Sequence, residues 1–119
     1  MILGIGCDVV EIKRIKDALQ KHKDKFLLKN FTTLEIENAP VLDNIRVAYF
    51  AKRFAGKEAF AKALGSGIGE KVEFRDIEIL NEESGKPYLT CNKHAGFKFH
   101  ITLSDEMHYA IAFVVIEKI

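Results

Sequence analysis

Glu58 and Lys62 stand four residues apart in the run Arg53-Phe54-Ala55-Gly56-Lys57-Glu58-Ala59-Phe60-Ala61-Lys62-Ala63-Leu64-Gly65-Ser66-Gly67-Ile68-Gly69. On a helix that spacing stacks them on one face, one turn from each other. A cation suits a phosphate, a carboxylate suits a metal ion or a proton, and glycine permits close backbone approach. The helix is expected to stop at Gly65, where Ser66, Gly67 and Gly69 can take backbone conformations that bulkier residues resist. The combination points to a site for a phosphorylated ligand with a divalent cation. A solvated ion pair would show the same spacing and contribute only roughly 0.2–0.5 kcal/mol. The run therefore gains its weight from a second segment.

That segment is Met1-Ile2-Leu3-Gly4-Ile5-Gly6-Cys7-Asp8-Val9-Val10-Glu11-Ile12, a short apolar strand by its composition. Leu3, Ile5, Cys7 and Val9 share one face, and Ile2, Gly4, Gly6, Asp8 and Val10 share the other. Asp8 thus sits inside an apolar strand, after two glycines that clear space beside it. An isolated glycine in a strand often marks close approach of a ligand or another backbone. A buried carboxylate needs a cation, a metal or several hydrogen-bond donors. The alternative is that Asp8 begins a turn or caps the next helix.

Together the two segments resemble the hallmark motifs of the 4′-phosphopantetheinyl transferases, most of all the short bacterial type, the holo-acyl-carrier-protein synthases. The resemblance continues through Phe74-Arg75-Asp76-Ile77-Glu78-Ile79, Ser84-Gly85-Lys86-Pro87-Tyr88, Ile101-Thr102-Leu103-Ser104 and Tyr109-Ala110-Ile111-Ala112-Phe113-Val114-Val115. It spans nearly the whole chain, with the motifs in the family's order.

The resemblance implies transfer of 4′-phosphopantetheine from coenzyme A to a serine of acyl carrier protein, releasing adenosine 3′,5′-bisphosphate, in support of fatty acid biosynthesis. It implies Mg²⁺ held by Asp8 and Glu58, with waters completing the shell. Lys62 would donate near the bridging oxygen of the leaving phosphate. The proton acceptor for the serine would be Glu58 itself or a metal-bound water. Arg53 and Lys57 would take the ribose phosphate, backbone amides of Gly65, Ser66 and Gly67 the nucleotide, and Ser104 would join the substrate-binding set. The family implies a homotrimer with sites between neighbouring subunits. A basic first helix would dock the acidic surface of the carrier protein, chiefly aiding encounter and partner choice, with Arg14 as its leading residue.

This chain departs from the family at Asp105, where a histidine usually follows the serine. A carboxylate there would repel a phosphate. It would instead face the metal or solvent, or His100 or His108 would take over the contact. Cys7 replaces a more usual aliphatic residue or threonine and reads as a small core residue. Ser66 stands for threonine.

Composition agrees with an enzyme of this kind. The chain has 119 residues, 48% hydrophobic, enough for one core and too few for two ordinary domains, so one domain over 1–119 is expected. A formal charge of +1 gives no global field for nucleic acid. Two cysteines are too few for a disulfide framework, and the N-terminus shows no basic leader or long apolar run. A cytoplasmic setting without membrane or nucleic-acid partners is expected. Between Glu11 and Lys25, six cations (Lys13, Arg14, Lys16, Lys21, Lys23, Lys25) face three acids, so the first helix is basic in a nearly neutral chain.

The periodicities predict an α+β fold, an antiparallel sheet packed against one long helix plus shorter helices. A strand is expected over 2–10, a helix from 11 to about 25, and a short capped helix from Thr32 and Glu35 to before Pro40. A long helix should run from 43 to 64 with Val47, Phe50, Phe54, Ala61 and Leu64 toward the core, its Gly56 marking tight packing or ligand approach. Strands are expected over 73–80, from Tyr88 to Cys91, over 97–104 and over 109–117. The last is apolar on both faces and should be central, with one face left for a subunit contact.

Overall fold

In the computed structural model, which describes residues 1–69 and 71–119, an antiparallel sheet wraps one face of a long central helix. The elements are β1 (Ile2–Glu11), α1 (Ile12–His22), α2 (Asp24–Asn30), α3 (Thr33–Glu37), α4 (Asp43–Leu64), β2 (Ile77–Asn81), β3 (Pro87–Cys91), β4 (Phe97–Asp105) and β5 (Tyr109–Lys118). β5 lies between β1 and β4, all antiparallel, as its two apolar faces predict. β2 and β3 form a separate two-stranded sheet, where one continuous sheet was expected. Residues 92–96 make turns rather than a tight hairpin, so β3 approaches β4 without sharing its ladder.

α4 occupies the span that its pattern predicts, but it is not amphipathic in the ordinary sense. Val47, Phe50, Ala51, Phe54, Ala55, Ala59, Phe60 and Ala61 are all buried, and Leu64 is half-buried. The sheet, the β2–β3 hairpin and α1–α3 together surround it, so its apolar residues run most of the way round. Gly56 sits where a Cβ would come 2.6 Å from Ile79 Cδ1 and 3.2 Å from Ile101 Cδ1, which makes it a packing residue.

The glycines of β1 are also packing residues. A Cβ on Gly4 would fall 2.0 Å from the carbonyl oxygen of Ala63, and one on Gly6 2.0 Å from that of Ala59. The close approach that the sequence announces is therefore helix backbone on strand backbone. On the opposite face Leu3, Ile5, Val9, Tyr109, Ile111 and Phe113 are exposed, while Ala110, Ala112, Val114 and Ile116 are buried against α4.

Three local expectations change. The first helix breaks at Lys23, whose φ of 45° cannot continue a helix, so α1 and α2 replace a single helix to 25. The segment expected as a strand from 73 begins with a 3₁₀ turn, Phe74–Asp76, closed by Asp76 accepting from the Glu73 amide at 2.8 Å. Cys7 is exposed on the outer sheet face rather than a core residue, because odd positions of β1 point away from α4. The helix seeded by Thr32 is as predicted, with Thr32 and Glu35 forming a capping box.

A Gly6→Ala substitution should force β1 off α4 and cost about 1–3 kcal/mol of stability as an overpacked contact with backbone. Urea unfolding measures this directly. An unchanged midpoint would mean that the strand and helix separate freely.

Candidate active site

The backbone contact between β1 and α4 decides where the charged side chains meet. Asp8 is on the helix-facing side of β1, two residues beyond Gly6. Lys62 lies between Ala59 and Ala63 in sequence, so its side chain leaves α4 next to the strand. Its ammonium donates to Asp8 Oδ1 at 2.8 Å and to the Cys7 carbonyl at 3.1 Å. The hydrogen bond to Asp8, and then the charge of Asp8, raise the lysine's affinity for its proton. The cation that Asp8 needed is thus supplied by the chain.

Glu58 precedes Lys62 by one turn and is half-buried. Burial raises its carboxyl above the ordinary range, the charge of Asp8 raises it further, and Lys62 and Arg14 pull it back. Two carboxylates are therefore close enough to repel each other. Arg14 arrives from α1 with its guanidinium 5.6 Å from the centroid of Phe54, which is one turn before Glu58. The structure brings Asp8, Glu58, Lys62 and Arg14 to one place from three elements.

Other expected site residues are placed differently. Lys57 is not available to a phosphate: its side chain has no exposure, and its ammonium pairs with Glu35 Oε1 at 2.6 Å and donates to the carbonyls of Asn30 and Phe74. Burial lowers its affinity for a proton, against the pull of Glu35. Arg53 is 2% exposed, with Nε on the Ile79 carbonyl, Nη2 on Asn81 Oδ1 and the guanidinium over the Tyr49 ring at 3.7 Å. It still lines a polar cleft of about 300 Å³ with Asn38, Tyr49, Asn81 and Tyr88.

Gly65 takes the left-handed conformation at φ 83°, and its amide bonds the carbonyls of Ala61 and Lys62. The Gly67 amide also turns back to Ala61, at 3.3 Å. These two amides close the helix rather than point at a ligand, which corrects the expectation for Gly65 and Gly67. The Ser66 hydroxyl likewise bonds the Gly67 carbonyl, at 3.3 Å.

Ser104 is exposed at the end of β4. Asp105 pairs with Lys52 of α4 at 3.2 Å, so its charge is met within the chain. His100 is engaged with Glu117 at 2.9 Å. His108, Asp105, Lys13, Lys16 and Asn44 line a cleft of about 860 Å³ between α1, α4 and the β4–β5 turn, apart from the acid pair. Sequence reasoning missed Glu35 and Lys52 as partners. The signal for Lys57 was present, since it lies seven residues after Phe50 and four before Ala61, on the apolar side of α4.

The model of the 4′-phosphopantetheinyl transferase superfamily matches residues 4–114. A holo-[acyl-carrier-protein] synthase of Wolbachia sp. subsp. Drosophila simulans (strain wRi) is 52% identical over 118 residues, covering 98% of each chain. A crystal structure of a holo-(acyl-carrier-protein) synthase from Bacillus anthracis in complex with CoA (3′,5′-ADP) superposes with a TM-score of 0.89 at 38% identity, covering 100% of this chain and 99% of that one. The Helicobacter pylori holo-[acyl-carrier-protein] synthase in complex with coenzyme A gives 0.85 at 34% identity, covering 95% and 99%. The chain belongs to the 4′-phosphopantetheinyl transferase superfamily.

Because Glu58 binds its proton more tightly folded than unfolded, its contribution to stability is complete below the ordinary carboxylate range. That contribution is lost as pH rises through the higher folded-state value. Ionised Glu58 therefore opposes folding near neutral pH, and metal-free Glu58→Gln should melt at a higher temperature than the parent there. The gap should close in acid. Calorimetry across pH checks this, and a lower neutral-pH melting temperature for the variant would contradict it.

Proposed function

We propose that this protein transfers 4′-phosphopantetheine from coenzyme A to a serine of apo-acyl carrier protein, releasing adenosine 3′,5′-bisphosphate. The meeting of Asp8, Glu58 and Lys62 at the β1–α4 contact is the observation that carries the reading. Two repelling carboxylates beside a lysine have no structural purpose that an apolar contact would not serve better, whereas transfer of a phosphate needs all three. Similarity to synthases solved with coenzyme A supports the substrate.

Asp8 and Glu58 fit Mg²⁺, which is commonly held by one or two carboxylates with the rest of its shell from water and substrate phosphate. Among the described residues no group of three or more histidine, cysteine, aspartate or glutamate side chains is placed to hold a metal ion. When bound there, Mg²⁺ neutralises pyrophosphate charge. Lys62 holds a proton donor beside the phosphate that leaves, and its tie to Asp8 keeps it in place before substrate arrives. Glu58, with its raised proton affinity, accepts the serine proton directly or through water. Arg14 and the basic face of α1 receive the acidic carrier protein, and Arg53 at its polar cleft receives the ribose phosphate. Ser104 lies with the substrate from across a subunit boundary. The product supports fatty acid biosynthesis in the cytoplasm, and no helix among the described residues is long and apolar enough to cross a membrane.

Incubation with apo-carrier protein, coenzyme A and Mg²⁺, followed by intact mass, tests the reading. EDTA should abolish the mass gain and Mg²⁺ restore it. Lys62→Ala should lower kcat on the order of 10²-fold with a small effect on the KM for coenzyme A. Full turnover in metal-free buffer would sink the assignment.

Assembly supplies a separate test. We read the exposed sheet face as the contact of a homotrimer whose sites lie between subunits. Phe113→Asp, on that face, should give a folded, inactive monomer, whereas Ala112→Asp, buried under α4, should disrupt the subunit itself. Light scattering that finds a fully active monomer of 13.5 kDa would refute shared sites.

A further inference from the structure

Glu35 and Lys57 form an ion pair with no solvent contact at either side chain. Every polar atom of it is used. Glu35 Oε1 accepts from the Thr32 amide at 2.9 Å and from Lys57, and Oε2 accepts from the Ile79 amide at 2.8 Å. The Glu35 carbonyl accepts from the Tyr49 hydroxyl at 2.6 Å. The Lys57 ammonium spends its three protons on Glu35, the Asn30 carbonyl at 2.8 Å and the Phe74 carbonyl at 3.0 Å. One point therefore joins the end of α2, the start of α3, the middle of α4, the 3₁₀ turn and β2. Arg53, one turn earlier on α4, takes the carbonyl of the same Ile79 at 3.1 Å.

A buried ion pair is a weak source of stability, and well-packed apolar replacements are often as stable. What a fully satisfied charged node provides is direction. Its direction here is informative. At about 100° per residue, α4 presents three sectors roughly 120° apart. Ala59 and Ala63 face β1, Arg53 and Lys57 face the node and β2, and Glu58 and Lys62 occupy the third sector. The glycine contact with β1 sets how near the helix lies and the apolar side chains around α4 fill its surroundings, while the node adds directional bonds from α4 to fixed backbone groups of the neighbouring elements. A side chain about 6 Å from the helix axis moves by about 2 Å when the helix turns by about 20°. Misplacement of about 1 Å at a reacting group can cost on the order of 10²-fold in rate.

We propose that the Glu35–Lys57 node is a rotational anchor for α4, which makes both of them positioning residues that hold Glu58 and Lys62 against Asp8. This rests on the transfer activity proposed above. It also replaces the expected contact of Lys57 with a phosphate by a role that never touches substrate.

The double variant Glu35→Leu/Lys57→Met removes both charges and keeps most of the volume. Tyr49→Phe removes a single hydrogen bond at the node and leaves the core filled. Each is compared with the parent for thermal melting, kcat, KM for coenzyme A, and Mg²⁺ binding by calorimetry on metal-free protein. The double variant should melt as a folded protein, with kcat down about tenfold or more, KM within about threefold and weakened Mg²⁺ binding. Tyr49→Phe should show a smaller fall in kcat. Parental kcat in either folded variant overturns the proposal. A raised KM with parental kcat also overturns it, because Lys57 would then be a substrate contact. If the double variant does not fold, Tyr49→Phe decides by the same criterion. A parent that transfers nothing would sink the functional reading instead, and Mg²⁺ binding by the variants would still decide on the anchor, parental affinity overturning it.

Discussion

The arrangement at the acid pair depends on a contact between two backbones. α4 lies on β1 so closely that the carbonyl oxygens of Ala59 and Ala63 fill the places where Gly6 and Gly4 would carry a Cβ. Small residues on both sides make this possible. Aspartate is a short side chain, and it can pair with Lys62 directly only because strand and helix are so near. A larger residue at either glycine would widen the gap, leaving Asp8 without its partner and Glu58 without its neighbour. The fold and the chemistry thus share one steric requirement, met by the absence of two methyl groups.

Such intimacy has an electrostatic consequence. α4 is enclosed on nearly all sides, so each polar group on it must find a partner. Arg53 and Lys57 do so inward, on backbone carbonyls, Asn81 and Glu35. Among the described residues no buried side-chain nitrogen or oxygen lacks a hydrogen bond. Glu58 is the exception in kind: burial and Asp8 both oppose its ionised form, and only Lys62 and Arg14 relieve it. Strain of this sort persists where function requires it. A divalent cation would reverse its sign, since the proximity that destabilises two bare carboxylates becomes favourable around a metal.

Much of this was legible in the sequence, and the failures have physical causes. The span of α4, the central place of β5 and the capping box at Thr32 all follow from local pattern and apolar spacing, whereas both faces of β5 are apolar and only the structure shows which one turns outward. Glu58 and Lys62 were legible as a pair because one helix sets their spacing; Asp8 joined them only through the family resemblance, and it is the β1–α4 contact that brings it to Lys62. Lys57 was misread because charge on a helix usually means solvent, and the groups that bury and bind it, at Asn30, Glu35 and Phe74, are distant in sequence. Glu35 could be read as a cap but not as a partner of Lys57, which lies 22 residues away. The break at Lys23 is a backbone conformation that lysine does not announce. Gly65 and Gly67 take the positive φ that glycine permits, but their amides serve the helix end first.

The outer face of the sheet shows how far one chain can go alone. Its rows run Val9–Ile111–Ser104, Cys7–Phe113–Thr102 and Ile5–Val115–His100 across β1, β5 and β4. Each row is apolar on β1 and β5, apart from the small Cys7, and polar on β4. A contact driven by burial of apolar surface must therefore centre on β1 and β5 and leave β4 at its rim. Ser104 stands on that rim, and Asp105, held by Lys52, turns inward beside it. Lys62 reaches solvent with its side chain 54% exposed, while Asp8 beneath it is mostly covered, 17% exposed. In the proposed trimer, the polar β4 rim would be a wet margin of an apolar contact centred on β1 and β5. The same polarity gradient that makes the sheet face adhesive at its centre keeps its edges wet, where a charged coenzyme and an acidic protein would have to enter.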